Sequence, residues 1–218
     1  MSNVPRAARK AVARFFPFVL YFRRGDGLIQ PYDIRAEDRF GIFVGPAPLV
    51  FLKPERGGTI DGPAGAYRRL AAQICGRCGC AAAVSANPAD AACDLQAEIE
   101  TVTEAAGPFG EIVFVGVSEG ALAGAQQGWQ IPALRRMLLI NAPLMAGWHE
   151  TRRGIERFRG EQAHFLCGTG DPSWQYFGIL QHIHSPVCRY SYIAGADHRF
   201  TGMERRLADA VVDWIRDV

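Results

Sequence analysis

The run Ile112-Val-Phe-Val-Gly-Val117 limits what this chain can fold into more than any other segment. It is continuous, β-branched and aromatic, and offers no side chain that favours water, which is the pattern of a strand covered on both faces. A sheet with one wet face would alternate polar and apolar residues, so this strand calls for a mostly parallel sheet with helices on either side. The rest of the chain agrees. From residue 50 onward, short apolar runs at 49–52, 80–84, 137–140, 164–167 and 187–193 alternate with segments of helical periodicity.

The first helix starts at Asp61-Gly-Pro63, carries Tyr67, Leu70, Ala71 and Ile74 on one face, and is expected to end at Gly76. A second has Leu95, Ile99, Val102 and Ala106 as its apolar stripe and stops at Gly107-Pro108. Two more are expected at 149–158 and 174–182, and Leu207, Val211, Trp214, Ile215 and Val218 mark a closing helix. Upstream of residue 50, apolar runs at 16–22 and 28–34 flank Gly25-Asp26-Gly27 and suggest an antiparallel hairpin. No repeat, low-complexity tract or linker interrupts this order, so residues 1–218 read as a single domain.

At 218 residues and 49% hydrophobic content, such a domain buries about 70% of its unfolded surface and needs neither disulfides nor a structural metal. The balance of 24 Lys+Arg against 22 Asp+Glu gives no reason to expect a nucleic-acid or anionic-membrane partner. No apolar run reaches the ~18 residues of a membrane span. Arg6, Arg9, Lys10 and Arg14 precede an apolar stretch at 15–22 in the manner of an export signal, but Pro17 breaks the stretch and Arg23-Arg24 follow it. A basic surface helix leading into a first strand, in a cytoplasmic protein, is the reading adopted. Cys75, Cys78, Cys80 and Cys93 could be four zinc ligands, yet their spacing lacks the repeated C-x-x-C hooks of such sites. The alternative is reduced, partly buried thiols. His182 and His184 have no acidic or thiol companions at ligand spacing, and neither a metal nor a cofactor is assigned.

The main strand runs directly into Gly116-Val117-Ser118-Glu119-Gly120. A sharp strand-to-helix turn of the G-x-S-x-G type holds its serine in a strained backbone and lifts the hydroxyl clear of the sheet, with glycines where a Cβ would collide. The sequence resembles the α/β-hydrolase superfamily at this point, and the resemblance extends over nearly the whole chain. It implies an acid after a later strand and a histidine after the last. Asp171, in Cys167-Gly-Thr-Gly-Asp-Pro172, and His198, in Gly195-Ala-Asp-His-Arg-Phe200, stand at the matching places. The resemblance also implies an α/β-hydrolase fold without a large lid, since only residues 142–162 separate the strands between which lids are inserted.

Chemistry requires all three side chains. A serine hydroxyl attacks a carbonyl well only if a base takes its proton, the role expected of His198, while Asp171 orients the imidazole and stabilises its protonated form. The developing oxyanion needs preset donors: the backbone N–H of Glu119 is one, and the second comes from the loop after residue 52. That loop reads Lys53-Pro54-Glu55-Arg56-Gly57-Gly58 where relatives often carry His-Gly. Pro54 has no N–H, so Glu55 or Arg56 must supply the donor.

Each residue also has a plainer reading. Ser118 could cap the next helix, Asp171 could form a turn before Pro172, Asp197 competes as the acid, and His198 could be an inert loop residue. Glu119 could favour cationic substrates or simply complement a helix dipole. Trp148, Trp174, Tyr176 and Phe177 could line a cleft or belong to the core. The expected function is hydrolysis of an ester, thioester or amide of a small acyl substrate through an acyl-enzyme. An acyltransferase with the same three residues, or a non-catalytic binding protein on the same fold, are the alternatives, and self-association is left open.

Overall fold

The computed structural model describes residues 33–36 and 39–217. Most of the expected 16–34 hairpin and the basic segment before it fall outside these residues. Eight described strands form one sheet: β1 (Asp33–Ala36), β2 (Phe40–Phe43), β3 (Leu49–Lys53), β4 (Ala81–Ser85), β5 (Ile112–Val117), β6 (Leu134–Ile140), β7 (Gln162–Gly168) and β8 (Cys188–Ile193). Their spatial order is β1-β2-β4-β3-β5-β6-β7-β8. The pairings from β4 to β8 are all parallel, and β1 and β2 join the β4 edge antiparallel. This is the α/β-hydrolase fold.

Alternation along each strand sends side chains to two separate cores. Leu49 and Phe51 of β3, with Ile112 and Phe114 of β5, face the helices α2 (Leu95–Ala106), α3 (Glu119–Gln127) and α4 (Trp148–Arg157). Val50, Leu52, Val113 and Val115 face α1 (Ala66–Cys78) and α5 (Glu204–Arg216) on the other side. β5 therefore has both faces covered, as its unbroken apolar run requires. Between β6 and β7 lie only a short 3₁₀ turn, Leu144–Ala146, and α4, so no large lid is inserted between these two strands.

Two expected helices are corrected. The first helix does not stop at Gly76: α1 continues to Cys78, and Gly79, left-handed at φ 69°, closes it by donating its N–H to the Cys75 carbonyl. The segment at 174–182 is 3₁₀ rather than α, spanning Pro172–His182. A 3₁₀ helix brings residues i and i+3 into line, and Trp174 and Phe177 stack there with centroids 5.1 Å apart. β2 was not anticipated, because Phe40-Gly-Ile-Phe43 is short and interrupted by glycine. The four thiols are divided between the two cores: Cys75, Cys78 and Cys80 pack against the one under α1 and α5, whereas Cys93 packs against the one on the opposite face. Burial pushes the Cys80 thiol up to about 12 and the Cys93 thiol up to about 11, so both stay protonated at neutral pH.

Candidate active site

Ser118 sits between the end of β5 and the first turn of α3 with φ 53° and ψ −120°, a backbone that a non-glycine residue adopts only when its surroundings impose it. Two close approaches impose it here. A Cβ on Gly116 would lie 2.6 Å from the Ala121 backbone, and one on Gly120 would lie 2.2 Å from the Lys53 carbonyl oxygen and 2.4 Å from that of Pro54. The glycines of the motif thus let α3 press against its own strand and against the loop after β3. Ser118 Oγ makes no capping bond to the helix, which removes the capping alternative.

Asp171 and His198 come together from separate loops at the ends of β7 and β8. Asp171 Oδ2 accepts from His198 Nδ1 at 2.5 Å, and its Oδ1 accepts from the Ser173 N–H at 2.6 Å. The turn role and the acid role are therefore compatible. The Asp171 carboxylate is fully buried, while His198 is 44% exposed, so the imidazole is held from one side and open to solvent on the other. Asp197 is occupied differently: its Oδ1 accepts from the N–H groups of Arg199 and Thr201 at 3.0 and 2.8 Å, holding the turn that carries His198. The loops of β7 and β8 are bound directly, with the Gly170 N–H donating to the Ala196 carbonyl at 2.8 Å.

One residue that sequence reasoning missed connects all of this. Asn141, at the end of β6, is buried with φ 46°. Its Nδ2 donates to the His198 carbonyl at 3.0 Å and its Oδ1 accepts from the Gly168 N–H at 2.8 Å, so one side chain ties the histidine loop to β7. The preceding residue, Ile140, accepts the Ser118 N–H. A polar residue at the end of an apolar strand was the only available signal.

The loop after β3 is anchored by a second buried network. Lys53 Nζ lies 2.8 and 2.7 Å from the Glu98 carboxylate oxygens and 2.8 Å from the Ala86 carbonyl, and Ser85 Oγ also donates to Glu98 at 2.7 Å. Beyond it, Asn87 Nδ2 donates to the Pro54 carbonyl at 3.0 Å, and the Arg56 guanidinium donates to the Ala89 carbonyl. These contacts fix the loop that contains Lys53-Pro54. Within it, the Glu55 carboxylate accepts from the Tyr67 hydroxyl, whose pKa is raised by burial and by that carboxylate.

The Glu119 side chain turns toward the nucleophile. Its Oε2 accepts from Ser118 Oγ at 2.8 Å and from the Arg56 N–H at 3.4 Å. Partial burial pushes its proton affinity up, but the Ser118 hydroxyl, backbone N–H groups and the His198 charge outweigh that and hold it below the usual carboxylate range. The Ser118 hydroxyl proton is therefore committed to Glu119 and not to His198.

Of the remaining candidates, Trp174 meets the site through its backbone, its N–H donating to the Asp171 carbonyl at 3.0 Å. His164 is structural, its Nε2 2.7 Å from Ser191 Oγ on the neighbouring strand. Among the described residues no group of three or more His, Cys, Asp or Glu side chains is placed to hold a metal ion. Trp174 and Phe177 pack against Tyr192 and Tyr190 on β8, and Trp148 packs against the core. A surface hollow lined by Asp94, Gln96, Glu100, Gln127 and Gln130 includes none of Ser118, Asp171 and His198. No described helix is long and apolar enough to cross a membrane.

No family model matches this sequence, and no curated protein matches it either. Solved structures do match its shape. Est1E from Butyrivibrio proteoclasticus superposes with a TM-score of 0.65 at 10% identity, covering 86% of this chain and 98% of that one. An alpha-beta serine hydrolase homologue from Coxiella burnetii gives 0.60 at 15% identity over 87% and 98% of the two chains. The esterase domain of a Rhodothermus marinus protein gives 0.60 at 11% identity over 82% and 92%.

Proposed function

We propose that this chain, which has the α/β-hydrolase fold, is a serine hydrolase acting through Ser118, His198 and Asp171, with residues 1–218 forming one domain. The observation that carries the reading is the pair of independent constraints at the site. A serine is forced into a strained turn after the central strand, and two distant loops deliver a buried carboxylate 2.5 Å from an imidazole nitrogen. Neither arrangement is needed to stabilise the sheet.

In the proposed cycle, Ser118 Oγ turns from Glu119 toward the free face of His198, loses its proton to the imidazole as it attacks the acyl carbon, and forms a tetrahedral intermediate. The backbone N–H groups of Glu119 and Arg56 receive the oxyanion. His198 then returns the proton to the leaving alcohol, thiol or amine, and water repeats the sequence on the acyl-enzyme. An acceptor other than water would make the same intermediate an acyltransferase step. The exposed imidazole and short β6–β7 connection suit a small, accessible acyl substrate. The names of the structural neighbours, esterases and serine hydrolases, agree with this class.

A non-catalytic binding role is favoured by one observation, the hydrogen bond that diverts Ser118 from His198. Hydrolysis of a panel of p-nitrophenyl esters by the wild type and by Ser118→Ala separates the two. The hydrolase reading expects turnover that falls by about 10⁶ in the variant. Hydrolysis that is unchanged by the substitution removes the Ser118 assignment, and its absence from folded wild type across the panel supports the binding protein.

A further inference from the structure

We propose that the Glu119 side chain is an internal competitor that occupies the oxyanion position of the resting site and determines which acyl groups can enter. This inference rests on the serine hydrolase reading. Its basis is that the Arg56 backbone N–H, one of the two donors assigned to the oxyanion, is occupied by Oε2 of the Glu119 side chain, whose own N–H is the other donor. The nucleophile donates to the same carboxylate. A carboxylate oxygen bonded by the Arg56 backbone N–H and by the reacting hydroxyl stands where the carbonyl oxygen of a substrate would have to stand.

The alternative assignments of Glu119 do not fit this geometry. A glutamate that merely complements the α3 dipole would extend into water without engaging Arg56 on another loop. As a general base for Ser118 it would place an anion inside the cradle that must stabilise an anion, so it would oppose the charge developing in the transition state. Substrate must displace it, and the tethered charge remains beside the reacting carbonyl after it leaves. An acyl group bearing its own carboxylate meets that charge as a repulsion, whereas one bearing a cation or a hydrogen-bond donor has a partner for it. The side chain is exposed, so its removal leaves the core unchanged, and alanine at 119 keeps the backbone N–H.

The test is the rate of covalent labelling by an uncharged fluorophosphonate in the wild type, Glu119→Ala and Glu119→Gln. The proposal expects labelling at least tenfold faster for Glu119→Ala and an intermediate gain for Glu119→Gln, whose neutral amide is a weaker acceptor. It also expects sodium acetate, compared with chloride at equal ionic strength, to slow labelling of Glu119→Ala by entering the vacated cradle, while leaving the wild type unaffected. Labelling of Glu119→Ala that is no faster than wild type, or acetate acting equally on both, overturns the competitor while the serine hydrolase reading stands. Absence of labelling in both folded proteins overturns the two together.

Discussion

Gly120→Ala offers a sign test of how the nucleophile turn is built. Gly120 lies within α3, and in an exposed helix alanine is more stable than glycine by about 1 kcal/mol. Propensity therefore predicts a gain. The packing predicts the reverse, because the new Cβ would meet the Lys53 carbonyl oxygen at 2.2 Å and that of Pro54 at 2.4 Å, where ordinary C···O contacts fall near 3.3 Å. The loop must retreat by roughly 1 Å, and overpacking of this kind costs about 1–3 kcal/mol. For a chain of this length a loss of ~2 kcal/mol lowers Tm by about 4–8 °C. The same loop carries the Arg56 N–H, so labelling or ester turnover should fall by about 10²-fold, the usual effect of a 1 Å misplacement. Gly76→Ala is the matched control: it lies inside α1 with nothing within 4 Å of the added carbon, and it should raise stability by about 0.5–1 kcal/mol. Thermal melts and labelling rates of the two variants decide the matter. A Gly120→Ala protein as stable and as reactive as wild type would show that the loop does not press on the turn.

Two further outcomes follow from the buried polar groups. Lys53→Met leaves the buried Glu98 carboxylate with only the half-exposed Arg39 guanidinium, 4.0 Å away, as its cation and should cost about 3 kcal/mol in urea unfolding, whereas Lys53→Met with Glu98→Leu should recover most of that. Equal losses in the single and double variants would contradict the pairing. His164 is held below the usual histidine range, mainly by burial and then by the charges of Arg136 and Arg189. Above pH ~6.5 it is neutral in both states. As pH falls through that value the unfolded chain takes up a proton that the folded one refuses, so stability declines until the lowered folded value is passed. Unfolding free energies measured between pH 7.5 and 5 should decline less steeply in His164→Gln, and an identical slope would refute the assignment.

What the sequence made legible was whatever depends on local pattern. The 112–117 run fixes a covered central strand because no other environment accepts six such residues in a row, and Ser118, Asp171 and His198 can be placed because each follows a strand end. What it concealed depends on contacts between distant segments. Nothing in Phe40-Gly-Ile-Phe43 indicates a strand until β4 lies alongside it. Lys53 looks like a departure in an otherwise apolar strand until Glu98, 45 residues later, is found to meet it. Asn141 has no motif because its partners are two main-chain groups, and the position of the Glu119 carboxylate depends on an N–H from the β3 loop.

The central claim is that Ser118 is a nucleophile activated by His198. Folded wild type and Glu119→Ala, incubated to completion with an excess of fluorophosphonate and digested for mass spectrometry, should each carry one phosphonyl group, located on Ser118, and His198→Ala should carry little or none. A folded protein without the adduct, or with the adduct on another residue, would contradict the account.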